Sequence, residues 1–158
     1  MIQKKFLIGI WLLQDLLQVL LLGFCIVPNL YLVYLLTVTV LDFSDDELSS
    51  KALLWAFIGG VLYDLRWTNI PGASSLAWCL GLTVASVVWG YLSDGARNSV
   101  SFFWLVFVVL LFTELVHFVF FTTSSVAIFT LLLLNIVLSL LVAFISGFIF
   151  KRNTSSDF

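Results

Sequence analysis

The side chains able to do chemistry in this chain are few, and they fall in three groups within otherwise apolar sequence. Asp64 stands near the end of KALLWAFIGGVLYDLRWTNIPG, which begins at Lys51; Gln14, Asp15 and Gln18 interrupt the first apolar stretch; Glu114, His117 and Asn135 interrupt the last two. An ionised Asp at a bilayer centre costs about 2.5–3.5 kcal/mol on insertion scales, so each carboxylate requires water, a partner or a proton close by. Ala52, Ala56 and Gly60 recur every fourth residue and Asp64 continues their ridge, along which a second helix can approach closely. Asp64 therefore reads either as a local cap of the TNIPG turn beside Arg66 or as a helix-packing or partner-docking site. Gln14 and Gln18 share a helical face with Asp15 on the next stripe, which makes a polar strip facing other helices. That strip suits interhelical hydrogen bonds or a ligand or ion site. Glu114 and His117, three residues apart, can pair carboxylate to imidazole, as a structural pair or as a proton relay. Two such residues fall short of the three or four ligands a metal site needs. Asn135 reads as a further hydrogen-bonding partner inside the bundle.

No nucleophile stands beside a base, and GxGxxG, P-loop and HExxH patterns are absent, so the sequence carries no enzyme or cofactor signature. With 62% hydrophobic and 10% charged residues, 158 residues cannot cover a soluble globule with polar surface. The chain reads as one integral membrane domain over residues 1–158. A net charge of −2 gives no basic footprint for nucleic acid. Cys25 and Cys79 lack metal or disulfide-framework spacing. The N-terminus MIQKKFLIGIWLL imitates a signal peptide but is followed by no A-x-A-like site, and Phe24 is too bulky for a lipoprotein site at Cys25, so a retained first helix is expected.

The elements that must position these groups are apolar helices, about six of them if each needs about 20 residues to cross a bilayer. They are expected at residues 6–27, 29–43, 51–67, 73–92, 100–121 and 126–150, giving an all-α polytopic bundle. Pro28 breaks the first helix from the second. Residues 44–50 form an acidic loop whose Ser49 or Ser50 caps the third helix, and SDGARNS makes a compact turn in which Gly95 can take positive φ and Asp94 or Asn98 can bond nearby backbone. Ala77, Gly81 and Ala85 make a second small-residue ridge, with Ser86 and Gly90 on the neighbouring stripe; Ser139, Ala143 and Gly147 make a third ridge. Six spans collect Lys4, Lys5, Lys51, Arg97, Lys151 and Arg152 on one side and leave Arg66 on the other. Basic loops stay inside, so both termini are expected in the cytoplasm.

PNLYLVYLL from Pro28, followed by AFIGGVLYDLRWTNIPG, resembles the rod shape-determining protein MreD family of bacteria. In that family a Pro-Asn or Pro-Asp pair starts a short apolar helix, a glycine-rich helix ends in Asp, and a turn closes with Gly. Pro28, Asn29, Gly60, Asp64 and Gly72 match, Ala56 stands where the family often has Gly, and the loop DFSDDELSSK is more acidic than the family leads one to expect. The resemblance implies a non-enzymatic scaffold subunit of the cell-elongation complex in the cytoplasmic (inner) membrane. Such a subunit binds MreC and, with the MreB cytoskeleton and the peptidoglycan polymerase and transpeptidase, supports lateral wall growth and cell shape. The expected partners are the lipid bilayer, an MreC-like protein, other elongation-complex membrane proteins and a second copy of the chain. Six short spans with buried Asp, Glu and His also resemble the substrate-binding membrane subunits of energy-coupling-factor vitamin transporters, which implies small-solute binding as the alternative.

Overall fold

The computed structural model describes residues 4–20, 29–41, 46–67, 70–121, 134 and 136–148. All regular structure among them is helical. The elements are α1 (Lys4–Leu20), α2 (Leu30–Leu41), α3 (Asp46–Trp67), α4 (Ala73–Tyr91), a 3₁₀ turn at Asp94–Ala96, α5 (Ser99–Phe121) and α6 (Ile136–Phe148). Among the described residues, two helical segments, Ala73–Tyr91 and Ser99–Val116, are long and apolar enough to cross a membrane; Leu30–Val40 and Ile136–Phe148 are apolar but shorter.

Boundaries differ from the sequence expectation where local capping chemistry decides them. Asn29 precedes α2 rather than joining it, because its Oδ1 accepts the Leu32 N–H at 3.2 Å as an N-cap. The helix that follows has 12 residues and at 1.5 Å per residue is much shorter than a hydrocarbon core of about 30 Å. The acidic loop expected at 44–50 is corrected: residues 46–50 are already helical, so Ser49 and Ser50 lie inside α3 rather than capping it. Gly95 does not take positive φ, since Asp94–Ala96 winds as a right-handed 3₁₀ turn with the Arg97 N–H on the Asp94 carbonyl. Among the described residues positive φ belongs to Gly72, at 96°. The far end of the first expected span, the residues between the fifth and sixth expected spans and the residues after 148 lie outside the described residues.

α3 and α4 make the most extensive helix contact, α5 packs on α4, and α2 lies against α1, α3 and α4. Trp78 of α4 is wholly buried at the centre, with ring centroids 5.8 Å from Tyr31 of α2 and 5.7 Å from Tyr63 of α3. At the other end of α4, Trp89 meets Phe102 of α5 edge to face. Leu12, Leu16, Leu65, Val84, Val108 and Phe144 point outward from the bundle, an apolar exterior suited to a lipid solvent.

Candidate functional site

The small-residue ridge of α3 is the surface on which α4 closes. Ala52, Ala56, Gly60 and Asp64 are all buried. A Cβ at Gly60 would fall 2.6 Å from the Ser75 backbone nitrogen and clash with its Cα, so glycine is what permits the two backbones to touch. The neighbouring Gly59 admits the Tyr31 ring, since a Cβ there would come within 2.8 Å of Tyr31 Cζ.

One turn beyond Gly60, the same face presents Asp64, whose side chain is 1% exposed. Its Oδ2 accepts the Gly72 N–H at 2.8 Å and the Ser74 N–H at 3.0 Å, and Oδ1 stands 3.2 Å from the same Ser74 nitrogen. Gly72 occupies the N-cap position of α4 and has no side chain with which to cap it. Asp64 performs that task from the preceding helix, satisfying orphan donors while its charge faces the positive end of the α4 dipole. The left-handed backbone of Gly72 requires glycine for its dihedrals rather than for space, because a Cβ there would meet nothing within 4 Å.

Asp64 thus caps the end of the TNIPG turn at Gly72, as one of the two sequence readings has it, whereas Arg66 has a different partner. Residues two apart on a helix point to different faces. Arg66 Nε instead pairs with Asp15 Oδ1 of α1 at 3.0 Å, and the Trp67 Nε1–H donates to the same oxygen at 3.0 Å. The Arg66 guanidinium also lies 5.8 Å from the Trp67 ring centroid. Beside this contact, Gln14 Oε1 accepts the Tyr31 N–H of α2 at 2.9 Å, and Gln18 Nε2 donates to Tyr63 Oη of α3 at 2.9 Å. Tyr31 in turn donates its hydroxyl to the Trp55 carbonyl at 2.8 Å. The α1 strip thus makes interhelical bonds to two neighbours.

On α4, Ala77, Gly81 and Ala85 are buried as the second ridge required, and Gly81 faces α5, where a Cβ would come 2.8 Å from Val109 Cγ1. Ser139, Ala143 and Gly147 of α6 are buried likewise, and Gly147 approaches the Phe103 backbone and Cβ. Glu114 is partly buried on α5. The His117 side chain and Asn135 lie outside the described residues, so their expected pairing does too. Sequence reasoning missed Tyr31, Tyr63 and Trp78, which join the polar strip to the ridge. The available signal was a set of aromatic residues with polar tips at the same helical depth as Gln14 and Gln18. Compared with family models, with curated proteins and with solved structures, the chain matches none.

Proposed function

We propose that this chain is a six-span scaffold subunit of a bacterial cell-elongation complex, of the MreD kind, with both termini in the cytoplasm. On this reading it is not an enzyme: it sits in the inner membrane, binds an MreC-like protein and other elongation-complex membrane proteins, and supports lateral peptidoglycan synthesis. The observation that carries the reading is the use made of the polar groups in the apolar helices. Asp64 holds two backbone N–H groups, Asp15 holds Arg66 and Trp67, and Gln14 and Gln18 bond to α2 and α3. Side chains that a carrier would keep for a solute are engaged here in fixing helices to one another. The close α3–α4 hairpin and the outward apolar faces supply rigid surface, which is what a scaffold offers. Support for the family comes from Pro28, Asn29, Gly60, Asp64 and Gly72, and three of these have structural jobs that other residues perform poorly: Gly60 as a backbone contact, Asp64 as a remote cap and Gly72 in its left-handed conformation.

The test is co-purification in mild detergent with an MreC-like partner. Recovery of a stoichiometric complex is expected, and a chain recovered alone from cells expressing that partner contradicts the assignment. Topology is tested separately by single cysteines at Asp46 and Asn69 in a cysteine-free background. Position 69 should react with an impermeant thiol reagent on cells with a permeable outer layer, and labelling of 46 but not 69 overturns the orientation.

A further inference from the structure

Where α5 begins and α6 ends, the two helices leave a groove of about 360 Å³ between them. Gly147 of α6 forms its floor. A Cβ there would lie 3.4 Å from Phe103 Cβ and from the Ser99 carbonyl oxygen, so glycine lets the α6 backbone rest on the first turn of α5. Val100 and Trp104 of α5 and Phe144 and Phe148 of α6 make the walls, and each is more than half exposed, from 55% at Trp104 to 69% at Phe144. The groove therefore opens on the apolar exterior of the bundle, and its size is that of a small-molecule site, about 300–1,000 Å³. Helices pack in membranes through small residues that let backbones approach. Here the small residue already lies against α5, and the projecting wall side chains hold a second helix away. An acyl chain is thin enough to enter between them. Ser99 starts α5 and Phe148 ends α6, so the groove lies at a membrane boundary, where a lipid places its headgroup. Lys151 and Arg152 follow Phe148 by three and four residues in the sequence. Since a polypeptide spans at most about 3.6 Å per residue, their Cα atoms stay within about 11 and 14 Å of that of Phe148 in any conformation. Arg97, at the same end, is offset by Asp94 at 3.2 Å, so Lys151 and Arg152 set the sign of the charge beside the groove.

We propose that this groove seats an acyl chain of an anionic phospholipid, whose headgroup lies at the boundary within reach of Lys151 and Arg152. Lipid tails are already in surroundings as apolar as the groove, so on entering it the acyl chain gains packing but no transfer free energy. Selection must therefore come from the headgroup. A Lys or Arg near the surface favours anionic lipid by roughly fivefold, and salt weakens the attraction. Two such residues set against one negative charge should favour an anionic lipid over a zwitterionic one with the same tails by about tenfold. The proposal rests on the membrane location proposed above and adds a lipid class to it; in the orientation given there, the lipid belongs to the cytoplasmic leaflet.

The experiment is native mass spectrometry of the full protein released from nanodiscs of equimolar phosphatidylglycerol and phosphatidylcholine with identical tails. The two lipids share their phosphate and differ in net charge, so phosphatidylglycerol should be retained over phosphatidylcholine by about tenfold. Val100→Trp fills the groove and should lose the bound lipid, whereas Val84→Trp, on an exposed face of α4, should keep it, both after a check that melting matches wild type. Lys151→Gln combined with Arg152→Gln should still retain a lipid but without preference, and a preference that survives the pair overturns the headgroup assignment. Equal retention of the two lipids by the wild-type protein overturns the proposal however the variants fold. Unchanged retention by a folded Val100→Trp protein overturns it too, because the lipid then sits elsewhere. Wild-type dimers that Val100→Trp abolishes would make a second copy the occupant and overturn it likewise. Failure of the protein to enter nanodiscs would instead strike the membrane reading itself.

Discussion

The α3–α4 and α4–α5 junctions perform the same task, ending one helix and starting the next, by opposite means. Between α4 and α5 the work is local. Arg97 reaches back to the Trp89 and Gly90 carbonyls and contacts Asp94, whose side chain is fully exposed. Asn98 accepts the Ser101 N–H at 2.9 Å as the N-cap of α5, and Ser101 donates to the Ala96 carbonyl. Between α3 and α4 the capping group lies eight and ten residues from the amides it holds and is buried. A solvated cap that is lost can be replaced by water; a buried one cannot. The α3–α4 junction therefore couples tertiary closure to helix initiation, since Asp64 reaches its amides only when the glycine ridge lets α4 lie against α3.

If that coupling is real, the largest effect should come from preventing closure. Gly60→Leu places side-chain atoms where the Ser75 backbone lies and should cost about 3 kcal/mol or more by overpacking, seen as loss of monodisperse protein in detergent. Val108→Leu, on an exposed face of α5, should accumulate normally. Equal accumulation of the two variants would break the comparison at its base.

Removing the carboxylate comes next. Asp64→Leu strands the Gly72 and Ser74 N–H groups and should destabilise by about 2–5 kcal/mol, on the basis of about 1–3 kcal/mol for each buried donor left unsatisfied. Asp64→Asn keeps one acceptor oxygen and should fall between Leu and wild type in thermal melting. A leucine variant that melts with wild type would show that the cap contributes nothing to the hairpin.

The two turn glycines sharpen the contrast further. Gly72→Ala forces a side chain into left-handed backbone and should cost about 1–2 kcal/mol. Asn98→Ala removes a local cap and should cost about 1 kcal/mol. Gly95→Ala, with ordinary φ and open space around it, should be neutral or slightly stabilising, by about 0.4–1 kcal/mol at most. Melting curves for the three, ranked otherwise, would remove the distinction between the junctions.

The sequence made some of this plain. Spacing of four is enough to align Ala52, Ala56, Gly60 and Asp64 on one face, and the helical period is enough to bring Gln14 and Gln18 together. The expected span 73–92 also ends within a residue of α4, Ala73–Tyr91, because Gly72 and the SDGARNS turn bound it sharply. The partners were not legible. Arg66 lies two residues from Asp64 in the chain but bonds to Asp15, and no local pattern encodes which residue of α1 faces the end of α3. Composition does not tell Gly95 from Gly72 as the site of positive φ, since both glycines sit in turns and only the 3₁₀ winding at Asp94–Ala96 separates them. The acidic start of α3 read as a loop because charge was weighed against apolar periodicity, whereas carboxylates are at home in a helix's first turn.

On the proposed reading, Asp64 is a structural acceptor in a scaffold rather than a titrating group in a carrier. The direct measurement is recovery of an MreC-like partner together with gradient-driven solute uptake in vesicles, for wild type, Asp64→Asn and Asp64→Leu. A structural cap predicts partner recovery that declines in steps from wild type through Asn to Leu, unaffected by an imposed ion gradient. Gradient-driven uptake by the wild type that disappears in Asp64→Asn while partner recovery stays unchanged would contradict it.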